Sequence, residues 1–293
     1  ARAFLELGLT FELKGDRGQA MFYLEEALSR FERLHDAAGQ AQVLGVIGVV
    51  RQQTGELEAA EACHRQALDL HVRVEDATGE AVDCGNLGAV LQASGQPKEA
   101  KVWHEHALAL FRRQQDDRGA AGQLRSLGLM AMREQQWDEA RERLDEALLL
   151  AEKAGHTLGQ AMTCATLGAW HQVQAQPVAA QARYARAVAL AEGCGHRPLA
   201  AQMRGALGEV HLAEQNWPAA VRELERALAV WEDLGWQREQ ARTCKALGDV
   251  YFRLEPEDGH RAEEMYQRAR AQYEQLGDKA GQGLACTGLG KLA

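Results

Sequence analysis

A Leu-Gly or Ile-Gly pair recurs at Leu7-Gly8, Ile47-Gly48, Leu87-Gly88, Leu127-Gly128, Leu167-Gly168, Leu207-Gly208 and Leu247-Gly248, each 40 residues after the last. An eighth pair, Leu289-Gly290, follows 42 residues later. Alanines keep the same beat at Ala20, Ala60, Ala100, Ala140, Ala180, Ala220 and Ala262, and again from Ala27 to Ala269. A fixed period of this length restricts the chain to a stack in which each unit buries its apolar face only against its neighbours. The two extra residues fall between Gly248 and Ala262, in the stretch LEPEDGH.

Within one unit Val43, Leu44, Ile47 and Val50 have helical spacing, and so do Leu57, Ala60, His64, Ala67, Leu68 and His71. Each unit is therefore a helical hairpin. Gly15, Gly55 and Gly95 stand where the first helix must stop in a left-handed turn. An interior proline costs a helix about 3 kcal/mol. Pro97, Pro177 and Pro218 fall at the starts of second helices, Pro198 at the start of a first helix, and Pro256 in the inserted loop. The expected fold class is all-α, a right-handed solenoid of seven antiparallel helical hairpins plus one terminal helix. The expected organisation is one domain over 1–293, with repeats at about 1–38, 39–78, 79–118, 119–158, 159–198, 199–238 and 239–280 and a terminal helix at 281–293. Residue 1 is Ala and the pattern begins at once, as expected of a segment cut from a longer protein.

In these Leu-Gly, Ala and Ala positions the sequence resembles the tetratricopeptide repeat along essentially its whole length. The common form has a period of about 34 residues. The longer period here is similar to that of scaffolds modulating heterotrimeric G-protein signalling and of sensor regions in large bacterial regulators. The resemblance implies a concave groove lined by first helices that receives a protein or peptide segment.

With each repeat numbered so that its Leu-Gly pair is at registers 7 and 8, registers 4, 7, 8 and 11 form the packed face. Registers 2, 5, 6, 9, 12 and 13 then face the groove. Leu5, Leu9 and Leu13 make an apolar stripe there, joined by Val49, while later repeats supply Arg125, Arg133, Lys245 and Arg253. Arg2, Arg125, Arg133, Arg242, Lys245 and Arg253 against Glu6, Glu12, Glu209 and Asp249 leave this face two charges positive, on a chain of formal net charge −9. That contrast favours an anionic ligand segment. The other reading is that Glu209, Asp249, Lys245 and Arg253 pair with one another across neighbouring first helices. Peptide-clamping relatives repeat Asn at registers 6 and 9, of which only Asn86 is present. The expected partner-binding residues are Leu5, Leu9, Leu13, Val49, Gln52, Asn86, Arg125, Arg133, Lys245 and Arg253.

Catalysis finds no foothold. HExxH, paired CxxC, phosphate loops and dinucleotide fingerprints do not occur in the sequence. Cys84, Cys164, Cys244 and Cys286 share register 4 and read as small packed residues. His64 and His104 share register 24, and His171 and His211 register 11, so each replaces an apolar residue of another repeat. No basic stripe suits nucleic acid, and no apolar run reaches membrane-spanning length. Unpaired thiols fit a reducing, cytoplasmic setting. The expected function is a non-catalytic protein- or peptide-binding scaffold, without cofactor or metal. The alternative is a ligand-sensing module of a larger switch, such as a transcription regulator or signalling ATPase.

Overall fold

The computed structural model describes residues 1–254 and 259–292, so the LEPEDGH insertion with Pro256 lies largely outside the described residues. Fifteen helices and no strand are present among the described residues. They group into two compact units, Ala1–Ala154 and Gly155 onward. The first unit holds α1 (Arg2–Leu13), α2 (Arg17–Arg33), α3 (Ala37–Thr54), α4 (Leu57–Arg73), α5 (Ala77–Ala93), α6 (Pro97–Arg113), α7 (Asp117–Arg133) and α8 (Trp137–Lys153). The second holds α9 (Thr157–Val173), α10 (Pro177–Gly193), α11 (Arg197–Ala213), α12 (Trp217–Leu234), α13 (Gln237–Leu254), α14 (His260–Gln275) and α15 (Lys279–Gly290). Odd-numbered helices are the first helices of hairpins, and within each unit they lie side by side, α1, α3, α5 and α7 in one and α9, α11, α13 and α15 in the other. The fold is all-α and hairpin-built, as the period requires.

The joints follow one rule. After α2 the backbone N–H of Asp36 bonds to the Phe31 carbonyl and that of His35 to the Glu32 carbonyl, both at 3.0 Å, which satisfies carbonyls the helix end leaves free. This closure requires a left-handed residue. Gly55 takes it at φ 86°, but His35, Glu75, Gln115, Gln135, Ala175 and Gln215 take it too, at φ 51–60°. The tertiary need for a three-residue joint overrides the strain of placing a side chain there. Asp36, Asp116 and Asp278 then start α3, α7 and α15 by accepting the backbone N–H three residues on, each at 2.9 Å. Pro97 and Pro177 open α6 and α10, and Pro198 and Pro218 sit at the second residue of α11 and α12.

The two helices of each hairpin meet at the Leu-Gly step. A β-carbon on Gly88 would stand 2.8 Å from the His104 ring, so only glycine admits that ring. Ala100, one turn earlier on α6, is fully buried. Leu24, Leu87, Leu144, Leu167 and Leu247 are fully buried in the same layer. Each such leucine stabilises the fold by about 1.5–3 kcal/mol. His64, His104 and His171 are buried as packing residues, and so are Cys84, Cys164 and Cys244.

Packed-face expectations fail at Leu7 on α1 and at Cys286 and Gly290 on α15, all three exposed. Leu7 is 41% exposed, because among the described residues α1 is flanked by α2 and α3 alone. Cys286 is exposed, because α15 packs on α14 and α13 and no described helix covers its other side. Leu289 and Leu292 do pack back on the core of the last complete hairpin.

Candidate partner-binding clefts

In the first unit α1, α3 and α5 enclose a cleft of about 440 Å³. Leu5 and Leu9 line it from α1, Val46 and Val49 from α3, and Val82 and Asn86 from α5. Leu9 is 37% and Val82 46% exposed, so the apolar wall meets solvent. The cleft is roomy because α3 contributes Gly45, whose missing side chain leaves the carboxylate of Asp83 as the nearest group.

The floor is polar. His71 of α4 places Nδ1 2.7 Å from Asp83 Oδ2, and its Nε2 lies 3.7 Å from Asp76 Oδ2. His64 Nδ1 stands 3.6 Å from Asp83 Oδ1, and neither nitrogen of its ring makes a hydrogen bond. Among the described residues these groups are not arranged to hold a metal ion. Register 3, where Asp83 stands, belongs to neither the packed nor the groove set drawn from the sequence, so Asp83 and His71 escape that reading.

Of the sequence-predicted residues, Leu5, Leu9, Val49 and Asn86 meet in this cleft, while Gln52, half-buried on α3, stands outside it. The side chain of Leu13 lies outside the described residues. Arg125 and Arg133 are on α7 and line neither this cleft nor the ones below. Arg125 is half-buried with no ion pair or hydrogen bond to a described residue, and burial pushes its guanidinium pKa below the ordinary value. Arg133 is exposed.

In the second unit Lys245 and Arg253 line one hollow of about 360 Å³ with Asp249, Phe252 and Trp217. Lys245 Nζ is 2.5 Å from Asp249 Oδ2 on its own helix, and Tyr266 donates to Asp249 Oδ1 at 2.8 Å. Arg242 of α13 reaches Glu209 of α11 at 3.6 Å. The pairing alternative does not hold as drawn: Lys245 and Asp249 pair within α13, and the partner of Glu209 across neighbouring first helices is Arg242.

A larger cavity of about 450 Å³ lies between α9, α11 and α13, lined by Met162, Leu199, Gly205, Arg242, Trp231 and Trp236 among others. The two indoles stack, with centroids 5.3 Å apart and planes 16° from parallel, and Trp236 remains 45% exposed. None of these residues is on the list read from the sequence. The signal is present, however: Trp236 occupies the register of Asp36, Asp76 and Asp116.

Two tetratricopeptide-repeat family models match the sequence, over residues 1–32 and 39–113. No curated protein matches it. Among solved structures, BtubC (BKLC) from P. vanneervenii is 20% identical, with 75% of this chain and 92% of that one aligned at a TM-score of 0.67. A signal transduction ATPase with numerous domains and a tetratricopeptide-repeat sensor, from Pyrococcus horikoshii, is 14% identical, aligning 98% of this chain with 44% of its own at 0.74. The Rap conjugation gene regulator of the plasmid pLS20, in complex with the Phr* peptide, is 18% identical, aligning 93% with 73% at 0.68. Family matches, structural likeness and the 40-residue register agree, and the chain is built of tetratricopeptide repeats.

Proposed function

We propose that the chain is a non-catalytic scaffold that holds a protein or peptide segment against its first helices. The observation that carries this reading is the solvent-open apolar wall of Leu5, Leu9, Val49 and Val82, set on three adjacent first helices. Such a wall gives an amphipathic or extended segment apolar anchorage. Trp236 offers a second anchorage of the kind that dominates interface energetics. A peptide-bound regulator of similar fold supports the reading. The partner's apolar anchor belongs beside Leu5, Leu9 and Val49, and its acidic portion beside Arg125 and Arg133. Lys245 is the weakest member of the expected set, since Asp249 already neutralises it. The free cysteines fit a reducing cytoplasm.

The fold shared with the sensor-bearing ATPase supports the alternative, a sensing module whose binding event is relayed to an attached domain. Both readings require a bound segment, which a displayed random-peptide library tests. Selection on the wild-type chain should yield binders that fail on a Leu9→Asp, Val82→Asp double variant of unchanged stability. Binders indifferent to that variant would move the site off this wall.

A further inference from the structure

Three polar side chains in the first unit break the repeat at one place. His64 stands where α2 and α8 have Leu24 and Leu144, His71 where α2 and α6 have Phe31 and Phe111, and Asp83 where α3 has Val43. All three are buried, Asp83 to 1% exposure. Burying a carboxylate is costly unless something balances it. The next repeat carries a neutral group at this place: His104 Nδ1 lies 2.8 Å from Gln123 Oε1, at the registers of His64 and Asp83, and Phe111 stands at the register of His71, which Asp83 meets at 2.7 Å. Asp83 also lines the cleft, its Oδ1 lying under Gly45, so its charge faces whatever enters there.

The cleft above fixes the ligand's chemistry. Asp76 and Asp83 both line it, with no Lys or Arg among the lining residues. His71 between them can balance only one of the two charges, and His64 lies beyond hydrogen-bond distance of Asp83. The walls above this acidic floor are the hydrocarbon of Leu5, Leu9, Val49 and Val82. The complement of an apolar shaft ending in carboxylates is a flexible hydrocarbon stem ending in a cation. We infer that this cleft receives the Lys or Arg side chain of a partner peptide, its stem along the leucine and valine wall and its charged head at Asp83 and Asp76. The inference rests on the scaffold reading and deepens it, making the apolar anchor the stem of a cationic residue.

The test uses four blocked pentapeptides, identical except for a central Lys, Arg, norleucine or Glu, and 1-aminopentane as a free amine. Each is titrated into the chain while the methyl NMR signals of Leu5, Leu9, Val49 and Val82 are followed. The Lys and Arg peptides should bind at least roughly ten-fold tighter than the norleucine peptide. Added salt should narrow that gap. Asp83→Gln, which places here the amide that Gln123 carries at the same register, should erase it while the unfolding midpoint stays near that of wild type. Val82→Lys, at an exposed wall position, should erase it by supplying a cation from the chain itself. Equal binding of the norleucine peptide, tighter binding of the Glu peptide, or an unaltered gap in Asp83→Gln overturns the inference. So does 1-aminopentane binding as tightly as the Lys peptide, which would make the cleft a small-amine site, and so does silence of all four methyl groups with every probe. A library-selected peptide that needs Leu9 and Val82 yet shows no preference for Lys or Arg would sink this inference and leave the scaffold reading intact.

Discussion

Trp236 stacks on Trp231 at the very register where Asp36, Asp76 and Asp116 begin their helices by accepting a backbone N–H. An indole has no acceptor for that bond, so the chain forgoes an aspartate cap worth about 1 kcal/mol. The stack returns about 0.5–1.5 kcal/mol beyond its burial. The two nearly cancel, and the half-exposed ring at the cavity rim is what remains. Trp236→Asp should therefore change unfolding free energy by less than about 1 kcal/mol. It should also weaken any ligand seated between α9, α11 and α13. Denaturant titration together with ligand titration checks both, and a large loss of stability would make Trp236 a packing residue.

The hairpin step predicts opposite signs for two Gly→Ala changes. Gly88→Ala drives a methyl into the His104 ring and should cost about 1–3 kcal/mol. Gly122→Ala, on α7 with nothing within 4 Å of the new atom, should gain about 0.5–1 kcal/mol from helix propensity. Equilibrium unfolding of both variants decides, and equal effects would contradict the stated approach of the two helices.

Thiol chemistry separates the packed face from the ends. Burial pushes the Cys84 thiol up to about 12, with Glu80 and Asp83 adding to the shift, and the Cys244 thiol up to about 11. Both thus stay protonated, and inert to alkylation, from neutral pH to well above 9, the ordinary thiol value. Cys194 and Cys286 are exposed and should react first. Mass-resolved alkylation of the folded chain at neutral pH should modify those two rapidly and Cys84, Cys164 and Cys244 only on unfolding. Fast labelling of any of the three would refute the packing at register 4.

Arg125 makes a charge prediction. Its guanidinium is half-buried without a counter-charge among the described residues, so Arg125→Met should leave the fold as stable or more stable. The same variant should lower affinity for an acidic partner segment and flatten the salt dependence of binding. Calorimetric titration at two ionic strengths reads both effects, and a clear drop in stability would assign Arg125 a structural role instead.

The sequence makes the hairpins legible because their demands are local and repeated: Gly88 must be small, Pro97 can only start a helix, and Gly55 suits a left-handed joint. A helical wheel also suffices to align Leu5, Leu9, Val49 and Asn86, which line one cleft. Asp83, His71 and Trp236 escape the wheel because their roles depend on what neighbouring repeats leave open. Gly45 makes room above Asp83, and Leu199 and Met162 frame the cavity at Trp236. The trace they leave is a break in the repeat, polar for apolar at 64, 71 and 83 and indole for cap at 236. Such breaks concentrate where function outweighs regularity. Cys286 and Leu7 are misread for a simpler reason: the wheel assumes a neighbouring helix on both sides, and among the described residues α1 and α15 have one on a single side.

The central claim is that a partner segment lies on the first helices and not on the outer, second-helix side. Calorimetric titration of a library-selected peptide against three proteins of matched stability tests it directly: wild type, Leu9→Asp with Val82→Asp, and Val102→Asp on α6, where Val102 is 63% exposed. The account predicts that the double variant loses at least roughly ten-fold in affinity while Val102→Asp binds like wild type. Loss of binding in Val102→Asp, with the double variant unaffected, would contradict it.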